Sequence, residues 1–269
     1  MKKYPITYLF VPGNRPDRFE KALYCGADAI IVDLEDAVSL DDKSAARDAF
    51  ANWFELHRDY SERIVLRIND AESGAFFNDR ALIRATGVKR VMLPKVESEE
   101  HVQLVSTVLA SDGLVLPIIE SAKGVLECTK IASSHRVQRL AFGNLDYAND
   151  LSISGDANTL AYPCSMITIA SRAAGLAMPI AGVTPEIHDD AKIVSEAKIA
   201  HASGFGAKLC IHPRQVDLIR QAFAPNSTEL IWAQRVTALL ESTGVLQLDG
   251  KMIDRPALLR AQAILNFAK

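Results

Sequence analysis

Glu120 and Asp146 are the residues whose type and setting point most directly to chemistry. Each closes a short apolar run, LVLPIIES and RLAFGNLD, and each is followed by small residues and a helical pattern. That pattern places both acids at strand C-terminal ends. Adjacent strands lie about 5 Å apart, so two carboxylates converging there need a cation. Mg²⁺ suits them, because it prefers hard oxygen ligands and takes one or two protein carboxylates, leaving its other positions to water and substrate. The competing reading is that each acid caps the helix after it, where a carboxylate is favoured beside the positive end of the dipole.

The other strand ends supply a cation at Arg67, a second acidic cluster at Glu35 and Asp36, and Lys95. A divalent ion beside an arginine suits a 2-oxo or 2-hydroxy acid, whose carboxylate and neighbouring oxygen chelate the metal together. The chemistry this implies is making or breaking a carbon–carbon bond through an enolate, with the metal as Lewis acid and positioned donors on the developing charge. Arg67 has an alternative as a salt bridge to Glu35 or Asp36. Lys95 on a barrel strand raises a Schiff-base alternative, but the acids around it favour a charged ammonium.

The elements that must position these groups are legible as a period. Apolar runs start at Thr7, Ala29, Ile64, Arg90, Leu114, Arg139, Met178 and Ala207, continuous as buried parallel strands are. Helical segments separate them, among them DKSAARDAFANWFELH, SEEHVQLVSTVLAS, AYPCSMITIASRAAG and DDAKIVSEAKIAHASG, with Gly175 and Gly204 placed as stops. Eight β/α units predict a TIM barrel, with reactive residues at the strand C-terminal ends. A doubly wound sheet is the alternative, but no glycine-rich phosphate turn follows the first run. The barrel is expected over residues 1–224. Residues 225–269 add a helical extension, ELIWAQRVTALLESTG, a turn LDGKMIDRP and a last helix ALLRAQAILNFAK, which must pack outside the closed barrel or reach a neighbouring subunit.

At 269 residues the chain is long enough for a full core, and 49% hydrophobic with 23% charged residues is ordinary for a soluble enzyme. A net charge of -3 argues against non-specific nucleic-acid binding. MKKYPITYLFVPG reaches Pro12-Gly13 too soon for a signal peptide, and no run approaches the roughly 20 apolar residues of a membrane span. The expected location is therefore cytoplasmic. Cys25, Cys128, Cys164 and Cys210 are scattered, which fits reduced structural thiols.

LFVPGNRPDRFEKAL, GADAIIVDLEDAV with DDKSAAR, LRIND, MLPKVES, IIESAKG, FGNLDYANDL, GAKLCIHPRQV, AFAPNSTELIWAQRV and DGKMIDRP, in this order over nearly the whole chain, resemble the citrate lyase beta-subunit-like branch of the HpcH/HpaI aldolase and citrate lyase superfamily. The resemblance implies a TIM barrel that cleaves citramalyl-, malyl- or citryl-type thioesters to acetyl-CoA and a 2-oxo acid, with Mg²⁺ on Glu120 and Asp146. It puts Arg67 on the thioester oxygen. It also implies a homotrimer in which Asp254 of one subunit serves as acid/base over the mouth of its neighbour. Position and resemblance together assign Arg15 and Arg18 to the CoA phosphates, Asn14 to the same rim, and His212 to the loop near the thioester. The alternatives that stay open are a citrate lyase beta subunit working on a carrier-protein thioester, a malyl-CoA-type thioesterase, and a subunit that only binds CoA.

Overall fold

In the computed structural model, which describes residues 4–239 and 246–267, the apolar runs close into a parallel barrel of eight strands in sequential order. The strands are β1 (Thr7–Pro12), β2 (Ala29–Asp33), β3 (Ile64–Arg67), β4 (Arg90–Leu93), β5 (Leu114–Ile119), β6 (Ala141–Phe142), β7 (Ile180–Ala181) and β8 (Ala207–Cys210). Closure runs through the β1–β8 ladder, Thr7 opposite Lys208 and Leu9 opposite Cys210. One α-helix follows each strand except β6, which is followed by two. The helices are α1 (Phe19–Tyr24), α2 (Lys43–Leu56), α3 (Phe76–Thr86), α4 (Glu99–Ser106), α5 (Ala122–Ser133), α6 (Asn144–Asp150), α7 (Ala161–Ala173), α8 (Asp190–Ala202) and α9 (Arg214–Phe223).

Alternation along each strand divides the residues between two layers. Tyr8, Ala29, Ile31, Val65, Met92, Leu116, Ile118, Ala141, Ile180, Ala207 and Leu209 fill the barrel interior, and Phe10 and Val183 pack against them. The residues between them, such as Ile30, Val91 and Cys210, are equally buried. Both faces of the sheet are therefore covered, which explains why the runs read as continuously apolar. The expected stops hold: Gly175 and Gly204 follow α7 and α8 with φ of 70° and 91°, left-handed values that cost glycine little.

Two expectations change. The runs from Arg139 and Met178 give strands of only two residues each. Asp146 is not at a strand end: α6 begins at Asn144, and Asp146 lies in its first turn.

A second compact unit begins at Phe223. It contains α10 (Ser227–Ala238), an antiparallel hairpin of β9 (Leu246–Leu248) and β10 (Lys251–Ile253), and α11 (Arg255–Phe267). Asn226 and Glu229 form a reciprocal capping box at the start of α10. Ala233, Val236 and Ala261 are its buried centre, with Trp232, Leu258 and Ile264 against them. The expected helix over residues 229–244 and the end of the last helix fall partly on residues 240–245 and 268–269, outside the described residues. Among the described residues, no helix is long and apolar enough to cross a membrane.

Candidate active site

Glu120 is the first residue beyond β5, and it is 6% exposed. Two local features hold its carboxylate. Lys95 adopts a left-handed φ of 51° just after β4, and its backbone N–H donates to Glu120 Oε1 at 2.6 Å. On the other side Gly143 leaves room, because a Cβ there would stand 2.2 Å from Glu120 Oε2. Burial pushes the Glu120 carboxyl up to about 8, with the charges of Asp146 and Glu35 adding to it against the pull of the Lys95 N–H. Among the described residues no lysine, arginine or histidine lies within ion-pair distance of Glu120.

Glu120 and Asp146 line one pocket of about 390 Å³ together with Asp33, Asp36 and Arg67, over an apolar floor that includes Phe10, Ile118 and Phe142. They also share a second, acidic recess with Asp70, Glu97 and Asp150. Acids outnumber bases at this mouth, since Asp33, Glu35, Asp36, Glu120 and Asp146 face Arg67 and Lys95. A buried carboxylate beside an exposed one, with no cation of the protein to neutralise either, fits a hard divalent ion that keeps most of its shell for water and substrate. Among the described residues no group of three or more His, Cys, Asp or Glu side chains is arranged to hold a metal.

Arg67 ends β3 opposite Asp33, the last residue of β2, and the register turns this pair into a fork. Arg67 Nε and Nη2 donate to the two oxygens of Asp33 at 2.7 Å each. Arg67 Nη1 lies 2.8 Å from Glu35 Oε2 and 3.3 Å from Asp36 Oδ2; the first is an ion pair without hydrogen-bond alignment, since Glu35 Oε2 has no hydrogen-bond partner. The guanidinium stacks over the Phe10 ring at 4.7 Å. Burial works against its charge, but Asp33, Glu35 and Asp36 together hold it above its ordinary value. The expected partners Glu35 and Asp36 are thus present, yet the bidentate partner is Asp33, which was not among the expected ones.

Lys95 Nζ donates to Glu35 Oε1 at 2.9 Å. That bond holds the ammonium above its ordinary value, so it is a poor Schiff-base nucleophile. Burial raises Glu35 against the opposing charges of Arg67 and Lys95. The rim residues are less gathered. Arg15 is exposed and forks onto Asp17 at 2.9 and 2.8 Å, Arg18 is exposed on the same segment, and Asn14 Nδ2 donates to Asp42 at 3.3 Å. His212 is exposed, and its Nδ1 accepts the Arg214 N–H at 3.2 Å at the start of α9. Asp254 belongs to the second unit and caps α11, accepting the Ala257 N–H at 2.9 Å.

Several supporting residues were not singled out in the sequence. Buried Lys43 donates to the carbonyls of Leu34 and Glu35 at 2.8 and 3.1 Å, fixing the loop that carries Glu35 and Asp36. Buried Asp79 accepts from the Asn69 backbone and side chain at 2.8 and 2.7 Å and from Arg47 at 2.7 Å. Fully buried Gln215 accepts the Ile211 and His212 N–H groups and donates to Thr184 O at 2.8 Å, holding the segment that carries His212. The one sequence signal for them is a polar residue at a helix position that otherwise faces the core.

Residues 7–213 match the HpcH/HpaI aldolase/citrate lyase family. The chain is 34% identical to citrate lyase subunit beta of Leuconostoc mesenteroides, over 97% of this chain and 92% of that protein. It is 32% identical to the (3S)-malyl-CoA thioesterase of Cereibacter sphaeroides, over 97% and 96%. Among solved structures it is similar to protein CitE of Mycobacterium tuberculosis in complex with magnesium, acetoacetate and coenzyme A, with a TM-score of 0.86 and 32% identity over 98% of this chain and 97% of that one. The order of strands, the acids at the barrel mouth and these likenesses lead to one assignment: the chain belongs to the HpcH/HpaI aldolase/citrate lyase family, in its citrate lyase beta-subunit-like branch.

Proposed function

We propose that the protein is a Mg²⁺-dependent carbon–carbon lyase that cleaves a 3-hydroxyacyl-CoA of the citramalyl, malyl or citryl type to acetyl-CoA and a 2-oxo acid. The observation that carries the reading is the buried, cation-free carboxylate of Glu120 beside Asp146 in the pocket that Arg67 also lines. Glu120 and Asp146 are the metal ligands, in keeping with the magnesium of the CitE complexes. When bound, Mg²⁺ supplies Lewis acidity to the carboxylate and neighbouring oxygen of the oxo-acid half. Arg67, held rigid by Asp33 and Phe10, donates to the thioester oxygen as charge develops there when the carbon–carbon bond breaks. Asp254 of a neighbouring subunit serves as acid/base: it takes up the proton that the substrate hydroxyl loses as it becomes the oxo group and returns it to the enolate carbon, completing the acetyl methyl group. That role needs a homo-oligomer, which the resemblance makes a trimer, in the cytoplasm, with the C-terminal unit packing on the adjacent barrel. The CoA phosphates lie on Arg15 and Arg18, with Asn14 and His212 on the same rim, and Arg15 exchanges Asp17 for phosphate.

A second reading has support in the likeness to (3S)-malyl-CoA thioesterase: the same site holds the hydroxy acid while water attacks the thioester. The test is a coupled assay of citramalyl-, malyl- and citryl-CoA with Mg²⁺ or EDTA, following oxo acid and free thiol separately. Oxo acid without thiol, only with metal, is the expected result. Thiol without oxo acid would replace the lyase by the thioesterase, and silence on all three would move the activity to a carrier-protein thioester.

A further inference from the structure

The wall of the barrel that carries Asp146 is the one its backbone ladder holds least. β6 and β7 share a single register pair, Ala141 with Ile180, and the β7–β8 ladder ends at Ala181 opposite Lys208. Beyond that point side chains take over. Lys208 points out of the barrel, between the interior residues Ala207 and Leu209, is 4% exposed, and donates from Nζ to the Gly182 carbonyl at 2.7 Å. Asn144, the first residue of α6, lies against the same peptide. Its Nδ2 donates to Val183 O at 3.2 Å, and a Cβ on Gly182 would stand 1.9 Å from Asn144 Oδ1. Two residues on, in the same helical turn, is Asp146.

On the outer side of this wall Asn144, Gly182 and Lys208 line a cleft of about 170 Å³ with Cys164 and Glu196. A buried ammonium is a costly way to hold a carbonyl, and burial pulls Lys208 down to about 8 although the Glu196 charge opposes the shift. A methionine would fill the position without that cost.

We propose that Lys208 is a positioning residue for the metal site: by clamping the Gly182 carbonyl where the strand ladder ends, it sets the seat of Asn144 and thereby the place of Asp146. This rests on the reading that Asp146 is a metal ligand. Partners that orient ligands change metal affinity by about 10–100-fold when removed.

The test is Mn²⁺ binding to the full-length protein without substrate, measured by electron paramagnetic resonance for wild type, Asp146→Asn, Lys208→Met, Lys208→Arg and Asn144→Ala, with a melting temperature for each. Lys208→Met and Asn144→Ala are expected to weaken Mn²⁺ binding about tenfold, and their double variant no further, since both act on one peptide. Lys208→Arg, which keeps a donor, is expected to recover part of the loss. If Lys208→Met does not fold, Asn144→Ala and Lys208→Arg decide. Loss of binding in Asp146→Asn with wild-type affinity in the folded Lys208 and Asn144 variants would overturn the proposal alone. Unchanged binding in Asp146→Asn would overturn the metal-site reading and the proposal with it.

Discussion

A Cβ on Gly143 would stand 2.2 Å from Glu120 Oε2 and 2.5 Å from Glu120 Cβ. The residue that begins the turn into α6 therefore clears the space that the buried carboxylate occupies, and the two strands meet at this contact. Gly143→Ala is expected to displace the Glu120 side chain and weaken Mg²⁺ binding by about tenfold or more, read by calorimetry on a variant whose circular dichroism matches wild type. Wild-type affinity would mean that this position of Glu120 is not its liganding one.

The raised carboxyl of Glu120 sets a pH dependence. Its folded value of about 8 exceeds the ordinary value of about 4.3, so the metal-free folded state holds the proton more tightly than the unfolded chain. The stability this contributes is complete below about pH 4.3 and is lost as pH rises through about 8. Mg²⁺ needs the ionised form, so its apparent affinity is expected to rise by up to about tenfold per pH unit and level off above about pH 8. Melting curves with and without Mg²⁺ from about pH 6 to 9 check this. The metal-induced increment should grow with pH, and a constant increment would remove Glu120 from the ligand set.

Arg67→Lys separates charge from shape. Lysine keeps one positive charge but has no fork to match both Asp33 oxygens and still reach the thioester. A kcat lower by about 10²–10³ is expected, with Mg²⁺ affinity within a few-fold of wild type. A kcat near wild type would confine Arg67 to the ion-pair cluster.

Asp254 combines a visible role with a proposed one. Asparagine caps helices as well as aspartate does, so Asp254→Asn should leave the α11 cap and the melting temperature intact while turnover falls by about 10²–10⁴. Because the residue is proposed to act on a neighbouring barrel, mixing unfolded Asp254→Asn and Arg67→Lys chains and refolding them together should restore part of the activity. Light scattering should give a trimer. A fully active monomer would end the cross-subunit reading.

The barrel was legible because its strands are buried on both faces, which leaves continuous apolar runs at a regular spacing. Where the runs end was not. RLAFGNLD reads as a strand through Asp146, yet a short apolar run does not distinguish a strand from the start of a buried helix, and the helix begins at Asn144. Glu120 and Arg67 were found from their strand ends, whereas the Arg67–Asp33 fork depends on the β2–β3 register, which no local pattern carries. Lys43 and Lys208 look like ordinary surface lysines in sequence. Only the closed barrel shows that one holds the loop after β2 and the other the peptide after β7.

The measurement that tests the central claim most directly is the product balance from citramalyl-CoA, for wild-type and Glu120→Gln protein at saturating Mg²⁺, by mass spectrometry of the CoA species alongside pyruvate. The account predicts acetyl-CoA and pyruvate in equal amounts from wild type, none with EDTA, and a rate for Glu120→Gln lower by about 10² or more. Wild-type rates from Glu120→Gln, or acetyl-CoA formed equally well in EDTA, would contradict it.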